Sequence, residues 1–130
     1  MATVRNMVLD AKDVWFDTDI TLDVSETANI IVRNGQWTAN PANGMVSADG
    51  HPGLIAKPKY ALPGSLEGML VGCIGDPSSD GTRFAIGMGP VNAPSVTGRL
   101  YLAINDDVHC VYGVGYVDNR GSVYLTVTVD

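Results

Sequence analysis

The sequence predicts an all-β domain, and three features carry that prediction. Its acids are lopsided: all but Glu26 and Glu67 are Asp, a turn and cap former where Glu favours helix interiors, so helices should be scarce. Val is the commonest apolar residue, and 15 Gly with 7 Pro punctuate the chain, a mixture suited to strands joined by tight turns. Several stretches alternate apolar and polar residues with period two, as half-buried strands do.

The elements follow in order. Ile20, Leu22 and Val24 alternate with Thr21 and Asp23, and a turn at Ser25-Glu26-Thr27 leads into a strand over Asn29-Ile30-Ile31-Val32-Arg33. From Asn34 to Pro63 the chain is rich in Gly, Pro and Asn and reads as a long loop excursion, which inside a compact domain is usually functional. Gly64 to Gly75 is apolar on both faces, as a central sandwich strand would be, and its glycines allow close backbone approach. Asp76 to Gly81 is a turn, Arg83 to Gly87 a short strand and Pro90 to Gly98 a connection. Arg99 to Asn105 is a strand with Leu100, Leu102 and Ile104 on one face. The cleanest alternation comes last, with Val123, Leu125, Val127 and Val129 inward against Tyr124, Thr126 and Thr128 outward. About eight strands separated by turn signals predict a jelly-roll-like β-sandwich. At 130 residues the chain, 1–130, makes one domain with one core.

Composition also excludes function classes. The net charge is −6, and the eight basic residues are scattered from Arg5 to Arg120, whereas binding nucleic acid or an anionic membrane needs a clustered positive field. No apolar stretch approaches the roughly 18 residues of a membrane span, so no membrane insertion is expected. Met1 to Asp10 lacks an apolar signal region, which predicts a cytoplasmic origin, with any release or surface association by a route that uses no signal peptide. Cys73 and Cys110 are too sparse for a disulfide framework and read as free thiols. His51, His109 and Asp49 form no pattern with a nucleophile, an oriented base or a metal triad, so no catalysis is expected. Asp17-Thr18-Asp19 resembles the start of a calcium loop but lacks the required glycine and terminal Glu, and reads as an exposed strand edge. Trp15 and Trp37 read as packing residues.

One constellation remains. Asn105-Asp106-Asp107 ends one strand, and Asp118-Asn119-Arg120-Gly121-Ser122 opens the last, with the loop Val108–Val117 between them. Two rigid strands thus present oxygen donors from both ends of one loop. Ca²⁺ takes six to eight oxygens from carboxylates, amides and backbone carbonyls, and a Gly-containing loop supplies the last kind. The competing reading is that these Asn and Asp residues cap turns. Tyr112 and Tyr116 in the loop serve either as a platform for an apolar ligand face or as loop anchors with bonded hydroxyls.

Gly98-Arg99-Leu100-Tyr101-Leu102-Ala103-Ile104-Asn105-Asp106, followed by Asp118-Asn119-Arg120-Gly121-Ser122 and the final strand, resembles the closing hairpin of the PA-I-type calcium-dependent galactophilic bacterial lectins. Gly35-Gln36-Trp37, His51-Pro52-Gly53-Leu54-Ile55 and Gly68-Met69-Leu70-Val71-Gly72-Cys73-Ile74-Gly75 match in the same order, so the resemblance runs from about Val8 onward. It implies a galactose-binding-domain-like sandwich that binds terminal galactose-type sugars through one Ca²⁺, without chemistry, as a homo-oligomer. Asp106 would be calcium ligand and hydroxyl acceptor, and Asp118 and Asn119 further ligands that also meet the sugar. Asn40 and Gly115 would each give a backbone carbonyl, and His51 a hydrogen bond to the sugar, with Tyr112 or Tyr116 near its ring. The chain departs from the family in four ways. Gly53 follows His51-Pro52 directly, so the family's sugar-holding glutamine is missing; the loop after Asp107 is longer; Asp118 stands where the family has Asn; and a sugar-contacting Thr is Gly or Val. Two other readings share the fold: a calcium-stabilised structural or protein-interaction sandwich, and a carbohydrate-binding module of a larger glycan-active protein.

Overall fold

The computed structural model describes residues 2–130. Eight strands form two four-stranded antiparallel sheets: β1 (Thr3–Asp10), β2 (Phe16–Leu22), β3 (Ala28–Thr38), β4 (Leu70–Ile74), β5 (Thr82–Ala85), β6 (Val91–Asn92), β7 (Gly98–Ile104) and β8 (Arg120–Val129). The first sheet runs β1-β8-β3-β6 and the second β2-β7-β4-β5. The only helical pieces among the described residues are single 3-10 turns at Pro41–Asn43 and Gly115–Asp118, in line with the scarcity of Glu. No helix is long and apolar enough to cross a membrane.

Alternation decides what meets between the sheets. Val123, Leu125 and Val127 of β8 and Ile30 and Val32 of β3 face Leu100, Leu102 and Ile104 of β7, all buried in one core. β4 is buried along its whole length, which explains its apolar run. The outward Thr126 is covered too: its hydroxyl donates to Asn6 Oδ1 and accepts from Arg33 Nε.

Several elements depart from the sequence reading: β6 lies in the expected connection Pro90 to Gly98, and of the expected strand Gly64 to Gly75 only Leu70–Ile74 is strand. β1 pairs with β8 along eight residues in a segment that showed no strand signal. Its Leu9 is buried while Val4 and Val8 face solvent, so apolar residues on both faces hide the period. β3 continues through Gly35-Gln36-Trp37 to Thr38, where a loop was expected. Its register on β8 shifts between Val32 and Asn34; such a bulge breaks the alternation and leaves four polar or small exposed residues, 33–36, in a row. Asp17 and Asp19 lie exposed on the edge strand β2, where both accept from Arg99 at 2.7 and 2.8 Å. The Arg99 bond holds the Asp17 carboxyl below its ordinary range.

Cys73 is buried in β4 and Cys110 is exposed, both as free thiols. A thiolate reagent should therefore titrate one sulfhydryl per native chain and two after denaturation. Two equivalents reacting at once without denaturant would contradict the buried placement of Cys73.

Candidate functional site

β3 ends at Thr38 beside Arg120, where β8 begins, while β7 ends at Ile104 beside Leu70, where β4 begins. The two sheets thus bring four strand ends to the same end of the sandwich, and the segments 39–69 and 105–119 cover it. Side chains lock these segments to the strands. Asn105 accepts from Leu62 N at 2.8 Å and donates to Leu62 O and Leu66 O. Trp37, with no exposed surface, donates its indole N–H to Gly68 O at 2.8 Å. Gly68 has φ +82°, and a Cβ there would lie 2.5 Å from the His51 ring, so only glycine lets that ring in.

The result is a cleft of about 390 Å³ whose walls include Asn40, His51, Asp106, Gly115 and Asp118. Asp106 is nearly buried. Its Oδ1 accepts from the Asp107 N–H at 2.7 Å, whereas Oδ2 is buried and receives no hydrogen bond. Asn119 is fully buried; its Nδ2 donates to Ala11 O at 2.9 Å, and its Oδ1 is likewise buried without a donor. Two acceptors held out of water with nothing to accept from are costly. Burial pushes the Asp106 carboxyl up to about 7, against the pull of the Asp107 N–H and the Asn119 amide, while Asp118 and Glu67 raise it further.

That shift has a consequence for the calcium-free chain. The folded state keeps the Asp106 proton to about pH 7, while an unfolded Asp loses its own near pH 3.9. Between those values the native state binds more protons, so this group's contribution to stability falls as pH rises. We expect EDTA-treated wild type to lose more stability than Asp106→Asn between pH 5 and 7.5. Equal pH dependence in paired thermal melts would remove Asp106 as the cause.

The other expected residues divide. Gly115 is buried in the wall with φ +60°, and a Cβ there would meet Asp107 O at 2.6 Å, so the close approach requires glycine. Asp118 lines the cleft half-exposed. Asn40 also lines it, but its carbonyl already accepts from Thr38 Oγ1 at 2.8 Å and Asn43 N at 2.9 Å. A carbonyl oxygen has two lone pairs, so a metal at the expected Asn40 carbonyl would compete with these two donors. His51 lies in the wall with Nε2 3.2 Å from Thr38 Oγ1 and 3.4 Å from Ala39 N, and burial lowers its pKa against the opposing pull of Glu67. Of the two readings of Tyr116, the anchor holds: it is 5% exposed and its hydroxyl donates to Ile104 O at 2.6 Å, so its ring is not a ligand platform. Tyr112 is 47% exposed and lines the cleft. Asn119 lies beneath the wall, where its amide cannot reach a sugar directly without the wall moving.

Sequence reasoning missed Lys57, Tyr60, Glu67 and Asp107. Lys57 and Tyr60 join the wall from the Pro-rich excursion, where no periodicity marks them, and Glu67 joins it from the run Gly64 to Gly75 that was expected to be strand. Asp107 accepts from Val111 N at 2.9 Å and Tyr112 N at 2.6 Å, and so shapes the loop; its place beside Asp106 was the only hint.

No group of three or more His, Cys, Asp or Glu side chains gathers among the described residues. A calcium site draws also on amide and carbonyl oxygens, and the donors here are of that kind. The two orphaned oxygens fit a bound cation: Asp106 and Asn119 would hold it, with Asp118 and the Gly115 carbonyl as further donors.

No protein-family model and no curated protein matches the chain. Among solved structures it is similar to the N-terminal domain of EclA, described as a PllA-like lectin, with a TM-score of 0.62 and 17% identity, covering 96% of this chain and 95% of that one. The two chains share a fold, an all-β sandwich of antiparallel sheets.

Proposed function

We propose that the protein is a lectin that binds terminal galactose-type sugars through a bound Ca²⁺ and performs no catalysis. The observation that carries this reading is the pair of buried acceptors without donors, Asp106 Oδ2 and Asn119 Oδ1, at the base of a polar cleft in a lectin-type fold. A neutral sugar offers no charge, and a calcium ion gives its vicinal hydroxyls something stronger than water to coordinate. Asp106, already bonded through Oδ1, is placed to accept a polarised hydroxyl proton in a charge-assisted bond. Asp118 in place of a neutral amide adds a second carboxylate, which favours tighter calcium binding. The preference for galactose comes from the resemblance of the segment Gly98 to Ser122, which joins β7 and β8 of the two facing sheets, and of the His51-Pro52 segment. Assembly into a homo-oligomer, which would multiply a weak single site through avidity, and a cytoplasmic origin belong to the same proposal.

Calorimetric titration with galactose, in calcium and again in EDTA, tests the reading. Binding that vanishes in EDTA and returns with calcium supports it. Calcium uptake without sugar binding would favour a structural sandwich, and sugar binding indifferent to EDTA would remove the metal from recognition. His51→Ala is expected to leave calcium binding intact and to weaken galactose by about 1 to 3 kcal/mol, the cost of an unpaired buried partner. An unchanged sugar affinity would show that His51 serves only Thr38 and Ala39.

A further inference from the structure

The cleft wall carries two chemically distinct sets of side chains. One is the oxygen set around Asp106, suited to a cation and the hydroxyls it holds. The other is Lys57, Tyr60 and Tyr112, for which a calcium ion has no use: an ammonium is repelled by the ion, and an aromatic face is no ligand for it. Yet this second set is organised. Lys57 Nζ stands 4.9 Å from the Tyr112 ring centroid, within cation–π range. The Tyr60 and Tyr112 rings lie 5.9 Å apart and tilted by 50°. Tyr60 is buried and backs the pair, and its backbone bridges Asp107. The Tyr112 backbone is fastened by the Asp107 carboxylate, which is itself buried. Tyr112 nevertheless stays 47% exposed, and Lys57 forms no ion pair among the described residues. A half-exposed aromatic whose backbone is held by Asp107 in a polar cleft, with an ammonium over its ring that forms no ion pair among the described residues and can turn its donors to a ligand, matches a ligand with one apolar face and several hydroxyl oxygens.

We propose that the cleft holds a second sugar subsite, in which Tyr112, backed by Tyr60 and accompanied by Lys57, takes the residue glycosidically linked to the metal-bound sugar. The ligand class is then a disaccharide or longer neutral glycan. The inference rests on the calcium-lectin reading for its first sugar and adds the second. A pyranose presents C–H groups on one face, which pack against an aromatic ring, and its hydroxyl or bridging oxygens accept from the Lys57 ammonium. Because Asp107 fixes the loop backbone before any ligand arrives, little ordering cost is left for binding.

The test compares methyl α- and β-galactosides with the α- and β-linked galactobioses by calorimetry in calcium. We expect at least one linkage to bind the native protein about fivefold to tenfold tighter than its methyl glycoside, the worth of one aromatic packing contact. Tyr112→Ala should bring that ratio close to one, while Tyr112→Phe, which keeps the ring and the backbone bond to Asp107, should preserve it. Equal affinity of monosaccharide and disaccharide in the native protein overturns the subsite and leaves the lectin reading standing. A ratio unchanged by Tyr112→Ala, or lost equally in Tyr112→Phe, overturns the role of the ring. Absence of binding by every galactoside in calcium overturns the subsite together with the reading beneath it.

Discussion

Asp106→Ala is expected to abolish calcium and galactose binding together, and stripping calcium from the native protein is expected to lower its melting temperature by roughly 10 °C. The coupling follows from geometry. One oxygen of Asp106 is bonded to the Asp107 N–H while the other is buried with no partner, so the side chain that would hold the ion also borders the cleft where the sugar would lie. The thermal effect is linkage: an ion bound only by the native state at a hundredfold excess over its Kd stabilises by about 2.7 kcal/mol. For a domain of this size each kcal/mol moves the melting temperature by roughly 3 to 5 °C. Where Asp106 is ionised, above about pH 7 in the calcium-free fold, the ion would also relieve two buried acceptors that otherwise go unanswered. Differential scanning calorimetry in calcium and in EDTA reads the shift. A melting curve indifferent to EDTA would sink the metal site, and Asp106→Ala that lost sugar but kept calcium would split the two roles we join.

Trp37→Ala should destabilise the fold by about 4 kcal/mol, within the usual range for removing a buried aromatic. Trp37 has no exposed surface, sits opposite Gly121 in the β3–β8 ladder and exchanges backbone hydrogen bonds with Val46 at 2.9 and 2.8 Å. Its indole N–H is also a tie from the first sheet to Gly68 O, and Gly68 packs against His51. The substitution therefore empties a core position, leaves the Gly68 carbonyl short of a donor and loosens the cleft wall. Urea unfolding should show a lower midpoint with the slope preserved. In contrast, Trp15→Ala should cost much less, since Trp15 is only half-buried and its Nε1 has no hydrogen bond to lose. Comparable losses from the two substitutions would contradict the assignment of Trp37 as the tie between the sheets and the cleft.

What could be read from residue order was whatever one strand's own pattern dictates. The alternation of Val123, Leu125, Val127 and Val129 identified β8, and that of Leu100, Leu102 and Ile104 identified β7, because a strand buried on one face must repeat every second residue. Scarce Glu and abundant Asp foretold a chain nearly free of helix. Asp106 and Asp118 could be picked out together because each adjoins a legible strand, β7 or β8; that the two strands lie in facing sheets and meet at one end of the sandwich was not legible. Where a bulge or a doubly apolar face broke the repeat, as in β3 after Val32 and throughout β1, the signal was lost.

Only the tertiary structure decided how the connecting segments serve the cleft. Whether Tyr116 anchors or Tyr112 protrudes depends on which of them reaches Ile104 O and which is strung from Asp107, and nothing in their spacing distinguishes them. That Lys57, Tyr60 and Glu67 join the wall follows from the packing of segments far apart in the chain, 57–67 against 106–118. Residue order records the periodicity of the elements that bury a face. Loop side chains take their roles from partners that folding alone brings within reach, and so from contacts with no period to betray them.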